Sequence, residues 1–363
     1  MERYDLIIIG GGPAGATLAR LAGETRRILL VDGNRHGKPC GGLLAPDAQK
    51  ILAHFDLNLP KEVLADPQIF SVKTLDLPSD KARWYQRMYV NLDRLRFDRW
   101  LLSLLPAGVT VRTGRCIRLA RREDGLLEAE LALDGGGRLA ACAPLLVGAD
   151  GAGSLVQRTF FTPLATRRYT AIQQHFPAAK TQAHSFYSCI FDERFTDVCA
   201  WTISKDDALI FGGAFPVRNS RAAYEAMRLE LVRRGFPLED PFRTEACSVL
   251  RPSSPSSFCL GGGGVFLIGE AAGFVSPSSL EGISYAMRSA VYLGRALAAK
   301  GDNILARYRR NTRTLRLGLL LKNVKCLGMY VPALRRAVLR SGLLSIAPYP
   351  GLSEHRNWRN HED

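Results

Sequence analysis

Three glycines and one acid near the N-terminus carry the spacing needed to hold a dinucleotide. The run Tyr4-Asp5-Leu6-Ile7-Ile8-Ile9-Gly10-Gly11-Gly12-Pro13-Ala14-Gly15 reads as a strand that ends in a glycine turn and passes into a helix. Gly10 permits the tight turn, Gly12 lets the backbone approach a phosphate, and Gly15 lets the helix pack close to the strand. Pro13 and Ala14 open that helix, whose unpaired N–H groups and positive dipole end suit an anion. A second apolar strand, Arg27-Ile28-Leu29-Leu30-Val31, ends in Asp32, twenty residues after Gly12. A carboxylate at that point can accept both ribose hydroxyls of an adenosine. The pattern is that of a dinucleotide socket.

Such a socket needs a parallel sheet with helices around it, so the expected class is α/β. The pattern predicts a helix over 14–22, another over 45–55 after the glycine-rich excursion 33–45, and a third beginning near Asn91. Val109–Val111, Ile117–Leu119 and Leu126–Leu133 read as strands of a three-stranded meander. Residues 145–148 and 265–268 read as short buried strands, each running into another glycine turn. Between them, Phe186–Phe191, Cys199–Ile203 and Ala208–Phe211 suggest a second sheet, followed by a helix over about 221–234. The expected division is a dinucleotide domain in three parts, 1–59, 90–160 and 258–310, with a substrate domain set into it at 60–89 and 161–257. Residues 311–363 form a basic helical C-terminal region.

At 363 residues the chain is long enough for two cores, and its 47% hydrophobic and 23% charged content is that of a globular protein. No basic segment followed by an apolar stretch opens the chain, and no apolar run approaches the roughly 20 residues of a membrane span. Eight cysteines lie scattered without a C-x-x-C pair, which argues against iron–sulfur or structural zinc sites and suits reduced cytosol. The net charge of +15 is concentrated late: residues 301–340 hold ten Lys or Arg and one acid, Asp302, interleaved with leucines. That mixture suits peripheral contact with an anionic membrane or an amphipathic substrate, and equally a solvated basic face. No nucleic-acid-binding motif accompanies it, so nucleic acid is not expected.

Three glycine-marked strand ends exceed what a nicotinamide dinucleotide asks. With Val147-Gly148-Ala149-Asp150-Gly151-Ala152-Gly153-Ser154 and Ile268-Gly269-Glu270-Ala271-Ala272-Gly273, the chain resembles the flavoprotein superfamily of aromatic hydroxylases, flavin-dependent halogenases and geranylgeranyl reductases. The resemblance implies a Rossmann-like FAD-binding domain with an inserted mixed or antiparallel sheet. It further implies an extended FAD held by Gly10, Gly12, Pro13, Ala14, Gly15 and Asp32 at one end. Asp150 and Gly151 match the middle motif, and Gly269, Glu270 and Gly273 the late one, with Glu270 standing where Asp is usual. Gly282 and Ile283 begin a helix whose N-terminus could face the flavin, with Glu281 binding there or bracing the loop.

Within that superfamily, Lys38-Pro39-Cys40-Gly41-Gly42 is similar to the Cys-Gly-Gly loop of geranylgeranyl reductase-like proteins. The run Phe274–Ala290 matches their sequence after the late motif, and Ala200–Lys205 resembles their Tyr-x-Trp-x-Phe-Pro-Lys segment, with Cys199, Ile203 and Ser204 departing from it. The reaction implied is reduction of carbon–carbon double bonds of an isoprenoid or related apolar substrate. An FAD-dependent hydroxylase and a non-catalytic flavin-binding sensor are the alternatives. On this reading Cys40 orients the alkene, donates a proton or packs against the flavin, a thiol being a feasible acid. Lys38, Gly41, Gly42 and Arg94 are expected at the cofactor, and Tyr187 and Trp201 along an apolar substrate tunnel or simply in a core. His175 and His184 lack metal-ligand spacing. The electron donor implied is NADPH or NADH, with reduced ferredoxin as the other option, and oligomeric state is not legible.

Overall fold

The computed structural model describes residues 1–33, 37–178, 183–301 and 303–346. Residues 34–36 of the glycine-rich excursion, Asp302 and residues 347–363 of the basic C-terminal region lie outside the described residues.

Leu6–Ile9 is buried at all four positions, and Ile28–Asp32 at its first four, as strands covered on both faces must be. These two strands pair in parallel, with Leu145–Gly148 on the far side of Leu6–Ile9 and Val265–Leu267 beyond it. Strand Val109–Arg121 completes the parallel layer against Ile28–Asp32. It then pairs with Leu127–Leu133, which in turn pairs with Arg138–Ala143, to make an antiparallel meander. The sequence pattern splits this strand into Val109–Val111 and Ile117–Leu119. The structure makes it one, paired first with Ile28–Asp32 and then with Leu127–Leu133; exposed Arg112, Thr113 and Arg115 interrupt the apolar pattern between the two pieces. With short edge strands at Glu2–Arg3 and Gly261–Gly262, the sheet has nine strands among the described residues. Helices Pro13–Ala22 and Ile283–Ala298 pack against each other beside it.

Among the described residues the second sheet has eight strands, in the order Arg243–Arg251, Arg167–Pro177, Ala208–Pro216, Ala200–Lys205, Phe186–Phe191, Ile69–Asp76, Lys81–Asn91, Leu43–Leu44. Phe186–Phe191 runs parallel to Ile69–Asp76 and the other pairings are antiparallel, so the sheet is mixed. Helix Ser220–Arg233 covers one face, driving Tyr224, Met227 and Leu231 against Phe176, Phe211 and Phe215. Each such side chain contributes about 1.5–3 kcal/mol on burial. Strands Arg167–Pro177 and Arg243–Arg251 have no counterpart in the sequence expectation. Gln173, Gln174, His175 and Glu245 break their apolar alternation, and these polar side chains are paired inside the sheet.

The C-terminal helices Ile304–Asn311, Arg313–Tyr330 and Pro332–Ser341 tie the two sheets together. Leu315 and Leu319 sit in the core beside the nine-stranded sheet, whereas Met329 and Tyr330 pack on the second sheet. Arg335 is buried and donates to Asp76 at 2.6 Å and Glu193 at 2.7 Å, and Arg336 reaches the same two acids. Two of the basic residues are thus spent on anchoring. Burial pushes the Asp76 carboxyl up, but Ser79, Arg335 and Arg336 outweigh it and hold the pKa below the ordinary carboxylate range.

Candidate cofactor and active site

The first glycine turn is packed on its inner side and open on its outer side. Gly10 has φ +111, and a Cβ there would lie 2.4 Å from the carbonyl oxygen of Ala149, so only glycine lets the first and middle turns touch. A Cβ on Gly15 would lie 1.8 Å from the Gly10 carbonyl, which is the close helix–strand packing the spacing predicts. Gly11, absent from the sequence-level site, lies against the Asp32 side chain, where a Cβ would stand 2.7 Å from the carboxyl carbon. Gly12 differs: from its Cβ position nothing is nearer than the Arg94 guanidinium at 3.9 Å. Pro13 occupies the first turn of the helix and Ala14 is buried, its methyl 3.1 Å from the Cβ position of Gly269. First, middle and late turns therefore meet, Gly10 and Gly15 against Ala149 and Ala14 against Gly269.

Asp150 serves the fold locally. Its carboxylate accepts the Ser154 hydroxyl at 2.5 Å and the backbone N–H of Leu155 at 2.6 Å and Val156 at 3.2 Å, capping helix Leu155–Phe160. What it presents is the backbone of Gly151, whose Cβ position has nothing within 4 Å. In the late turn, Gly269 donates its N–H to the Ser289 hydroxyl at 2.8 Å, and Gly273 packs on the Ser257 carbonyl. Glu281 accepts from the Ser284 N–H at 2.7 Å and hydroxyl at 2.6 Å, so it braces the start of helix Ile283–Ala298 behind Gly282.

Glu270 bridges the two sheets. One carboxylate oxygen accepts the Leu250 N–H of the second sheet at 2.9 Å, and the other takes the Lys38 ammonium at 2.6 Å. The added methylene relative to Asp lengthens its reach toward these partners. Burial opposes the Lys38 charge, but Glu270 and Cys247 outweigh it and raise its pKa.

Lys38 begins a loop laid across the second sheet. The Pro39 carbonyl accepts from the Cys247 thiol at 3.5 Å, and the Cys40 carbonyl accepts from the Gln173 amide at 3.5 Å. A Cβ on Gly41 would meet Ile203 at 2.6 Å and the Trp201 indole nitrogen at 3.7 Å, so the loop rests on that strand. Gly42, at φ +65, turns the chain against the Leu92 carbonyl and the Lys205 ammonium. Burial lowers the Lys205 pKa to about 8. Arg94 donates to Asp98 at 2.9 Å; burial works against its charge, yet Asp98 first and then Cys40 raise its pKa. The structure thus gathers Lys38, Cys40, Gly41, Gly42, Arg94 and Gly12 into one region. Gln173 also donates to Glu245 at 2.7 Å, and His175 lies 3.2 Å from that carboxylate, lowering the Glu245 pKa to about 2.

Tyr187 and Trp201 stand on neighbouring strands, registered with Ile203 and Cys189 respectively. Tyr187 meets Tyr89 edge-on at 5.3 Å. The Trp201 ring lies over Gly212, and its buried indole N–H has no hydrogen-bond partner among the described residues. His184 stacks on Phe186 at 4.8 Å, away from this constellation. Sequence reasoning missed Gln173, Glu245, Cys247 and Lys205. Lys205 alone left a signal, as the last residue of the quoted Trp-containing segment.

The residues present fit a dinucleotide extended across the three turns. Gly12 and Gly151 leave backbone bare where phosphate or ribityl oxygens could approach, and Arg94 stands beside that space with its charge held. The loop carrying Cys40, with Trp201 beneath it, could border the reactive end.

No family profile matches the chain. Among solved structures, a geranylgeranyl bacteriochlorophyll reductase-like protein from Thermoplasma acidophilum aligns with TM-score 0.69 at 17% identity, covering 96% of this chain and 89% of its own. The myxobacterial chondrochloren halogenase, an FAD-dependent halogenase variant, aligns at 0.71 with 21% identity over 91% and 84%. PqsL of Pseudomonas aeruginosa, described as a probable FAD-dependent monooxygenase, aligns at 0.70 with 17% identity over 93% and 100%. The fold is therefore one shared by a reductase-like protein, an FAD-dependent halogenase and a probable FAD-dependent monooxygenase. Much nearer in sequence are the CbrA proteins of Escherichia coli O6:H1, 45% identical over 352 residues and 95% of each chain, and of Escherichia coli O157:H7, 45% identical over 95% of this chain and 99% of that one. With that identity along almost its whole length, the chain belongs to the CbrA family.

Proposed function

We propose that the chain is an FAD-dependent oxidoreductase that reduces carbon–carbon double bonds of an isoprenoid or similarly apolar substrate. The observation that carries this reading is the placement of the Lys38–Gly42 loop. It is pinned to the late turn through Glu270, to the second sheet through Gln173 and Cys247, and lies beside Arg94 over the first turn. Its Cys-Gly-Gly sequence is the feature that resembles reductases; the fold itself is common to three chemistries, and function follows the site.

FAD bound here would supply hydride transfer, the two-electron half of an alkene reduction. The chain supplies position, charge and a proton. Gly12 and Gly151 offer backbone to the phosphates and ribityl chain, and Arg94 adds fixed positive charge. Gly282 and the start of helix Ile283–Ala298 contribute a positive dipole end. The Cys40 thiol holds the proton for the second alkene carbon, and the glycines beside it keep that stretch of loop low on the sheet. Tyr187, Trp201 and Ile203 give an apolar wall with one indole N–H available to a polar group of the ligand. An isolated alkene is a poor electrophile, so hydride and proton must arrive together, and both donors need to stand within about 3–3.5 Å of their carbons.

NADPH or NADH is the proposed electron donor, with reduced ferredoxin the alternative. Anaerobic bleaching of the flavin by each in turn identifies it. For the reaction, enzyme reduced anaerobically is mixed with geranylgeranyl or polyprenyl lipids. A product heavier by two hydrogens with flavin reoxidised supports reduction. Reoxidation that waits for oxygen, with an oxygen atom in the product, replaces this reading with hydroxylation. No substrate-dependent reoxidation across lipid, quinone and aromatic panels leaves a flavin-binding sensor.

A further inference from the structure

Helix Arg313–Tyr330 is apolar on two sides. At 100° per residue, Leu315, Leu319 and Cys326 fall on one side and are buried. Leu317, Leu320, Leu321, Val324 and Leu327 fall within about 120° on the other, and Val331, just beyond the helix, continues their line. That outer stripe is in the open: Leu317 is 49% exposed, Leu321 69%, Val324 67% and Leu327 53%. The first side accounts for the helix's attachment to the protein; the second has nothing over it among the described residues. Water is a poor medium for so long an apolar row.

The segment that carries the stripe is of one sign. From Asn303 to Ile346 the sequence contains ten Lys or Arg and no acid. Arg335 and Arg336 are committed to Asp76 and Glu193. Arg313 at the head of the stripe, Lys325 along its flank and Arg340 on the next helix are exposed and form no ion pair among the described residues. No single helix among the described residues is long and apolar enough to cross a membrane. Helices Arg313–Tyr330 and Pro332–Ser341 bend by 80° at their junction, and each is held by its own buried contacts.

We infer that this outer face of Arg313–Tyr330 docks the protein on an anionic lipid bilayer, the helix lying in the interface with its leucines and valine inserted and its basic residues among the headgroups. The charge argues against a second copy as the occupant, since two such faces would repel, and the apolar row with anionic headgroups beside it is what an interfacial helix needs. This inference goes beyond the flavin chemistry and stands or falls separately from it.

The test is sedimentation of the full-length, FAD-loaded protein with vesicles of phosphatidylcholine mixed with phosphatidylglycerol, against phosphatidylcholine alone. The protein should sediment with the mixed vesicles, weaken as salt rises, and bind the neutral ones far less. Each basic residue near the surface is worth about five-fold in partition, so Arg313→Gln with Lys325→Gln should lose roughly twenty-five-fold. Leu321→Asp with Val324→Asp should abolish binding while circular dichroism stays unchanged, because both side chains are already in water; if that pair misfolds, the glutamine pair decides. Failure of the wild type to bind mixed vesicles overturns the inference, as does undiminished binding by the variants. A wild-type dimer that the aspartates convert to monomer, without lipid binding, would instead assign the face to a second copy.

Discussion

Cys40 is the residue on which the proposed reduction turns, and its surroundings allow catalysis to be tested apart from packing. Its thiol accepts the Gly42 N–H at 3.4 Å and its carbonyl is held by Gln173, so the loop geometry does not depend on the sulfur alone. Cys40→Ala should keep FAD bound and lower anaerobic alkene reduction by about a hundred-fold to ten-thousand-fold, the usual range for a lost general acid. Unchanged turnover removes the thiol from the mechanism. Glu270→Ala leaves the Leu250 N–H and the Lys38 ammonium without their shared acceptor. Hydrogen bonds to a charged group contribute about 1.5–3 kcal/mol each, so a loss of that order in denaturant unfolding is expected, with weaker FAD retention. Lys205 gives a pH signature. Burial lowers its pKa to about 8 from an ordinary 10.5, so between those values the unfolded chain holds more protons and stability rises with pH. Lys205→Met should remove that rise, worth about 3–4 kcal/mol, and be relatively most stable below pH 8. A variant that follows the wild-type curve would contradict the assignment.

At the scale of elements, the parts legible in the sequence were those whose residues have one physical purpose. Leu6–Ile9 is buried on both faces, and Gly10 and Gly15 answer steric demands that few other patterns create. The attachments of the Lys38–Gly42 loop to Glu270, Gln173 and Cys247 leave no such local pattern. Strands Arg167–Pro177 and Arg243–Arg251 were hidden because their buried Gln173, Gln174 and Glu245 obtain hydrogen bonds from one another and from the loop, contacts that no local pattern records. Asp150 and Glu270 show a related limit: the motifs mark both carboxylates, but their partners, a helix start for one and the loop and second sheet for the other, leave no local trace in the sequence. The attachment of the last helix was equally invisible. Asp76 is fully buried beneath Arg335 and Arg336, so Asp76→Asn should destabilise the fold by about 3–5 kcal/mol and loosen helix Pro332–Ser341 to proteolysis. Because its folded pKa is depressed, the stabilisation is complete above the ordinary carboxylate range and is lost as pH falls through the depressed value. Equal acid sensitivity in wild type and variant would argue against it.

For the whole molecule, two sheets bridged by Glu270 and the Lys38–Gly42 loop make a fold found in a reductase-like protein, a halogenase and a monooxygenase. TM-scores of 0.69, 0.71 and 0.70 to the three kinds of neighbour do not rank those chemistries for this chain. All three readings, and the assignment of the loop, rest on one extended flavin threading the turns at Gly10, Gly151 and Gly269. The most direct test is the flavin content of the folded full-length protein, purified and then equilibrated with FAD and desalted. One FAD retained per chain, with the yellow flavin absorbance, and loss of that retention on Gly10→Val, is the expected result. A folded wild-type chain that stays colourless after reconstitution would contradict the account at its root.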